Sequence, residues 1–410
     1  MEKQYKDGQY RKFCLYGFIK NLQFFDPYLV FFFLESGLHF LQIGLLFSIR
    51  EIATNILEIP TGMAADIAGR RRTMVFSFLS YICSFLLFFF FRSFPMQIAA
   101  MILFAFGEAF RTGTHKAMIF EYMTLKKITH LKVAYYGHTR GWAQLGSALS
   151  ALIAAAIVFI AKSYRHVFLF TAFPYVAGLF LMMSYPKELD GTGGDGSASI
   201  KERAREVFGG FIKLFTTGTT RKALANSSLF DAFFKTSKDY LQPVLAALAL
   251  SLPLMTGLGD QQRIALITGM VYCLLYILTS RASMSAGFLT SGKRKDTTVL
   301  NLTWLTAAVF LAASGFFLRW DLALPAVILF ILYYVLENLR RPVTLGYVSD
   351  RIERGILASG LSGESQAKSL FVAVFAPLLG FLADTFSVGI ALALFGGLVV
   401  LLYPFMRLRK

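Results

Sequence analysis

Charge is scarce in this chain. Only 16% of its 410 residues are Asp, Glu, Lys or Arg, against 56% that are hydrophobic. That is more apolar surface than one soluble core can bury, which excludes an ordinary water-soluble globule and points to a bilayer. Cysteine is scarcer still. Cys14, Cys83 and Cys273 stand singly in apolar stretches, without the CxxC or Cys/His spacing of a disulfide framework or a zinc site, so no metal or other cofactor is expected. Catalytic signatures are missing too: there is no GxSxG, no HExxH and no GxxxxGK[ST]. With no nucleophile elbow, metal-held water or phosphate cradle, an enzyme is not expected. Ser291, Gly292 and Lys293 resemble the end of a phosphate loop, but Arg294 stands where it requires Ser or Thr. Transport against a gradient would therefore draw on an ion gradient rather than on ATP.

Apolar runs fill the rest, each about 20 residues, the length that crosses a hydrocarbon core of roughly 30 Å. About twelve can be placed. Six lie near 13–36, 38–65, 73–91, 95–117, 134–161 and 167–185, and six near 224–250, 262–288, 297–318, 322–345, 362–384 and 388–406. The first is too long for a signal-peptide core and lacks a small-residue cleavage site, so it reads as a retained span. Between the sets the composition turns Gly-rich and acidic over 186–199, then basic and amphipathic over 200–215. The expected organisation is a first half at 1–185, a cytoplasmic linker at 186–221 and a second half at 222–410.

The formal net charge of +17 would raise nucleic acid in a soluble protein. Here the cations gather in alternate loops: Arg70 to Arg72, Lys126, Lys127, Lys201, Arg203, Arg205, Lys293 to Lys295, Arg407, Arg409 and Lys410. The other side has only scattered ones such as Arg92, Lys162, Arg165, Arg263 and Arg319. This is the positive-inside pattern. It places both termini in the cytoplasm, of a bacterial inner membrane by expectation, and argues against a nucleic-acid partner.

The halves repeat one another. The first span has Asn21, Phe25 and Asp26 in the register of Asn226, Phe230 and Asp231 in the seventh. The fourth has Glu108 and Arg111 where the tenth has Glu337 and Arg340. Glu121 and Asp350 follow at equal distances. Such internal symmetry is a transporter feature, with the site near the midplane at the repeat interface.

At the end of the second span, Gly62 is followed four residues on by Asp66, three on by Gly69, and then by Arg70 and Arg71. This loop resembles the one between helices two and three of major facilitator superfamily transporters. The resemblance covers essentially the whole chain and implies an all-α integral membrane fold of twelve transmembrane helices in two pseudo-symmetric six-helix bundles. It further implies alternating access by a monomer, a cavity lined by spans one, four, seven and ten, and a cytoplasmic latch formed by Asp66 with Gly62, Gly69, Arg70 and Arg71. The Gly-Pro motif usual in helix five of family drug antiporters is missing at 137–151, whereas Pro377 and Gly380 in the eleventh span resemble its second-half counterpart.

Ionisable groups inside a span are costly and mark pathways or pairs. The seventh span holds Asp231, Lys235, Lys238 and Asp239. Helical spacing sets Asp231 beside Lys235 and Lys235 beside Asp239, which reads either as a neutralised ladder or as an anion site at Lys235 or Lys238. Asp26, followed by the helix-kinking Pro27, reads as a proton carrier or as a carboxylate satisfied by a neighbouring cation. Glu51, Asn55 and Glu58 form a polar stripe on the second span. Arg111 and Arg340 read as a salt-bridged gate or as substrate contacts, His115 and His138 as interfacial, and Glu364 with Lys368 as an intrahelical pair.

The expected activity is secondary transport of a small polar, anionic solute coupled to a proton or another cation, with membrane lipid around it. Lys235, Lys238, Arg111, Arg340, Asn21 and Asn226 are the substrate candidates, and Asp26, Asp231, Glu51 and Glu58 the coupling candidates. The competing readings are a proton-driven exporter of amphipathic compounds and a membrane sensor without flux.

Overall fold

The computed structural model describes residues 7–190, 218–253, 255–290, 296–352 and 357–408. Most of the expected linker, including the amphipathic stretch 200–215, lies outside the described residues. Every regular element among those described is helical. The first part of the chain forms α1 (Gly8–Lys20), α2 (Leu29–Glu35), α3 (Phe40–Ala68), α4 (Arg70–Phe90), α5 (Phe94–Arg111), α6 (Thr114–Leu125), α7 (Lys132–Ala161) and α8 (His166–Met183). The second forms α9 (Gly218–Ser237), α10 (Leu241–Ser251), α11 (Asp260–Thr290), α12 (Asp296–Arg319), α13 (Ala323–Ser349), α14 (Leu357–Thr385) and α15 (Val388–Met406).

Nine of these, α3, α4, α7, α8 and α11 to α15, are long and apolar enough to cross a membrane. Large apolar side chains such as Phe76, Phe90, Phe180, Leu401 and Phe405 are exposed on their outer faces, where only lipid can cover them. The spans expected at 13–36, 95–117 and 224–250 are each divided in two, as α1/α2, α5/α6 and α9/α10. These three carry the polar side chains of the repeat except Glu337 and Arg340, which lie on the unbroken α13.

A break inside lipid must satisfy its freed backbone groups locally. In the first span helicity stops at Lys20, before Pro27 is reached, and resumes through a 3-10 turn at Asp26–Tyr28. The Tyr175 hydroxyl donates to the Lys20 carbonyl at 3.1 Å and accepts from Gln23 Nε2 at 2.9 Å. Farther on, the Val30 N–H donates to the buried Gln242 side-chain oxygen at 2.8 Å. In the seventh span a 3-10 turn at Lys238–Tyr240 joins α9 to α10, and the Tyr334 hydroxyl donates to the Lys238 carbonyl at 2.8 Å.

The chain divides into two compact units, Met1–Tyr28 with Ile49–Ala204, and Leu29–Ser48 with Arg205–Lys410. In the first, α1 packs on α7, and α4 on both α5 and α8. In the second, α9 packs on α14, and α12 on both α13 and α15. These are the same pairings six spans later. The segment 29–48 joins the second unit through specific contacts. Asp384 accepts the N–H groups of Phe40 and Leu41 at 2.9 and 2.8 Å, at the start of α3, where a carboxylate also meets the positive end of the helix. Ser48 donates to the Ala373 carbonyl at 2.8 Å. At the crossing of α3 and α14 a Cβ on Gly44 or Gly380 would collide with the facing backbone, so glycine is what permits the approach.

The crossing of α12 and α15 uses the same device. A Cβ on Gly315 would lie 2.5 Å from the Gly389 carbonyl oxygen. Gly315→Leu is therefore expected to cost roughly 1–3 kcal/mol through overpacking and to lower the Tm of the detergent-solubilised protein. Gly397→Leu, at a position where a Cβ meets nothing within 4 Å, is expected to leave the Tm in place.

Candidate functional site

In the first unit, the end of α1, the α5/α6 break and the start of α7 enclose a cavity of about 340 Å³. Lys20 and Asn21 come from α1 and the break after it, Arg111 from the last turn of α5, His115 and Lys116 from α6, and Thr139 and Arg140 from α7. No carboxylate is among the lining residues. Arg111 is aimed by its own helix and the next. Its Nη2 pairs with Glu108 Oε2 at 2.5 Å, its Nε donates to the Tyr81 hydroxyl at 3.2 Å, and that hydroxyl donates to Glu108 Oε1 at 2.6 Å. The Tyr81 ring lies on Gly107, where a Cβ would sit 2.8 Å from it. Lys20 makes no ion pair or hydrogen bond through its ammonium group with the described residues.

His115 is buried rather than interfacial. Its ring stacks on Tyr16 at 3.5 Å and its Nε2 lies 3.3 Å from the Tyr185 hydroxyl. Aromatic packing from α1 and the end of the sixth span draws it inward. Asn21 lines the cavity while its amide donates to the Gly17 carbonyl at 2.7 Å.

The second unit encloses a smaller cavity, about 240 Å³, lined by Ser227 and Asp231 of α9, Arg341 and Thr344 of α13, and Glu364 and Lys368 of α14. Glu364 is not the intrahelical partner of Lys368 that spacing suggests. It accepts the Ser227 hydroxyl, and its carbonyl accepts that of Ser228 at 3.1 Å, because α9 faces α14 here. Arg340 and Asn226 line neither cavity. The guanidinium, 1% exposed, donates to the Leu300 carbonyl, to Thr303 Oγ1 at 2.9 Å and to Asn226 Oδ1 at 2.6 Å, and lies 4.1 Å over the Phe230 ring. The repeat thus brings Asn226 and Arg340 into contact, whereas Asn21 and Arg111 share a cavity without bonding.

Lys235 and Lys238 line neither cavity. The ladder read from spacing is cut because α9 ends at Ser237, and Asp239 takes its cation from adjacent Lys238 at 2.7 Å. Of the coupling candidates, Asp231 lines the second cavity. Asp26 opens the 3-10 turn, Glu51 is buried and pairs with Arg50 at 3.4 Å, and Glu58 lies farther along α3. Among the described residues no cluster of His, Cys, Asp and Glu could hold a metal.

The sequence model of the Major Facilitator Superfamily matches residues 14–363 of this chain. The chain belongs to that superfamily. A relative from Bacillus subtilis (strain 168), the uncharacterized MFS-type transporter YxaM, is 33% identical over 90 residues, which is 22% of this chain and 23% of YxaM, so the match spans under a quarter of that protein. The fold matches the crystal structure of the nucleoside transporter NupG with a TM-score of 0.78 at 12% identity, over 98% of this chain and all of that one. It also matches the peptide transporter POT in complex with sulfate, with a TM-score of 0.68 at 13% identity, over 97% of this chain and 94% of that one. At these identities the likeness concerns the fold. The protein is an integral membrane member of the superfamily.

The superfamily loop is held by a residue that sequence reasoning missed. Gly69 has φ +92°, a left-handed conformation open to glycine, and separates α3 from α4. Asp190, after the sixth span, accepts the Arg71 N–H at 2.7 Å at the start of α4, and Arg70 pairs with Glu121 at 3.4 Å. The Asp66 side chain lies outside the described residues. At Gly62 a Cβ would meet nothing within 4 Å, so the tight contact in this loop falls at Gly69, where it would meet Asp190.

Lys20, Tyr81 and Asp190 escaped the sequence reading. Lys20 alone carried a signal, as a cation beside Asn21 where the second half has Ala225. Arg111→Gln strands Glu108 beside Tyr81 and is expected to cost roughly 1–3 kcal/mol. The double variant Glu108→Gln/Arg111→Gln is expected to cost less than Arg111→Gln alone, read as Tm in a double-mutant cycle.

Proposed function

We propose that the protein is a secondary active transporter that moves a small polar, anionic solute by alternating access, driven by a proton or other cation gradient. The observation that carries this reading is the first-unit cavity. Lys20, Arg111, Lys116 and Arg140 line it and no carboxylate does, so even with Arg111 paired to Glu108 behind the lining a bound anion would meet an excess of cations in a partly desolvated site. Lys20 and Arg111 are its direct contacts and Asn21 a neutral one. The same lining argues against a site for cationic amphipathic compounds, which need carboxylates. Basic residues in alternate loops support both termini lying on the cytoplasmic side, and we take the membrane to be a bacterial inner membrane.

Uptake by proteoliposomes across a panel of carboxylates and phosphate esters, with and without an imposed pH gradient, tests the reading. Accumulation that survives collapse of every ion gradient would remove the coupling. In the transported solute's own assay, Lys20→Gln is expected to raise KM by tenfold or more, since one charge-assisted contact contributes about 1.5–3 kcal/mol. An unchanged KM would remove Lys20 from the site.

A further inference from the structure

The two Glu-x-x-Arg words of the repeat are used differently. In the first unit Glu108 has both oxygens engaged, by Arg111 and by Tyr81. In the second unit Glu337 is 5% exposed, and its Oε2 is buried with no hydrogen-bond partner among the described residues. Its expected partner is elsewhere, since Arg340 turns its terminal nitrogens to Leu300, Thr303 and Asn226. No tyrosine takes the place of Tyr81, because the nearby Tyr333 hydroxyl is bonded to Ser237 at 3.1 Å.

A carboxylate left ionised and unbonded in that setting costs several kcal/mol, whereas the neutral acid is accommodated. The charged groups that bear on Glu337 come from three helices: Asp231 of α9, Arg340 and Arg341 of α13, and Lys368 of α14. Asp231, Arg341 and Lys368 line the cavity of about 240 Å³, together with Glu364. A polar cavity of that size has room for several waters, and Arg341, one turn along α13 from Glu337, brings it close.

We propose that Glu337 is the group that takes up and releases the coupling proton, an assignment that rests on the proton-driven reading above. With Glu337 protonated, Arg340, Arg341 and Lys368 face two carboxylates, Asp231 and Glu364. With it ionised, three cations face three carboxylates. Proton loading therefore leaves one positive charge in excess among these six groups, and release restores their balance. Glu108, closed into its ion pair, has no comparable proton to exchange.

The proton is the ligand, so pH itself is the probe. Infrared difference spectra of the purified full-length protein, recorded from acid to mildly alkaline buffer, are expected to show a carboxylic-acid carbonyl band that disappears on titration. That band is expected to be lost in Glu337→Gln and retained in Asp231→Asn and in Glu364→Gln. Glu337→Asp, which keeps the acid and covers the case in which the glutamine variant does not fold, is expected to shift it. A titrating band that survives unchanged in Glu337→Gln or Glu337→Asp overturns the assignment alone. A Glu337 band that does not respond to pH overturns it as well, by making the residue a static acid. Uptake indifferent to a pH gradient overturns the coupling reading and this assignment with it.

Discussion

Inside a bilayer no water is at hand to satisfy a backbone group that leaves helical hydrogen bonding, and the polar part of this protein depends on how that constraint is met. Three of the four spans that carry the repeat's ionisable side chains are divided, and the tenth, with Glu337 and Arg340, is the unbroken α13. At two of the three breaks a tyrosine hydroxyl donates to a carbonyl, Tyr175 at Lys20 and Tyr334 at Lys238, while at the α5/α6 break the Thr112 and Thr114 hydroxyls donate to the Glu108 and Phe110 carbonyls at 2.8 and 2.9 Å. In the first and seventh spans the hydroxyl that closes the break arises on another span, so a polar site there is a property of the packed unit and not of one helix.

The fold was legible because hydrophobic length and loop charge act locally, and each span announces itself in its own stretch of sequence. The repeat was legible for the same reason, since Asn21 with Asn226 and Glu108 with Glu337 are matches along a line. Partnership was not. Whether Arg111 meets Glu108, or Arg340 turns from Glu337 to Asn226, is decided by Tyr81 on one neighbouring helix and by Thr303 and the Leu300 carbonyl on another. The Lys235–Asp239 rung of the helix-seven ladder failed for a local reason. Four-residue spacing presumes an unbroken helix, and this one changes pitch after Ser237. Lys20 was overlooked because a cation in the first third of an apolar run ordinarily reaches back to water. The break that follows it leaves it beside a cavity instead.

The two units therefore share a plan and differ in charge. One encloses an excess of cations, with its internal glutamate closed into an ion pair, and the other mixes acids with bases near a glutamate whose Oε2 has no hydrogen-bond partner among the described residues. Duplication supplies two copies of a scaffold, and a few unmatched residues, Lys20 against Ala225 and Tyr81 against no counterpart, are enough to make the copies chemically unlike.

The hydroxyl of Tyr175 has a further consequence. A backbone carbonyl only accepts, so the single phenolic hydrogen is committed to Lys20, and the oxygen is left to accept from Gln23. That fixes the sense of the whole relay, from amide to phenol to carbonyl, and it decides which end of the Gln23 amide faces the phenol. The phenol has no hydrogen left to give, so what the first-span break offers a third party comes from Gln23, as the second Nε2 hydrogen and the carbonyl oxygen.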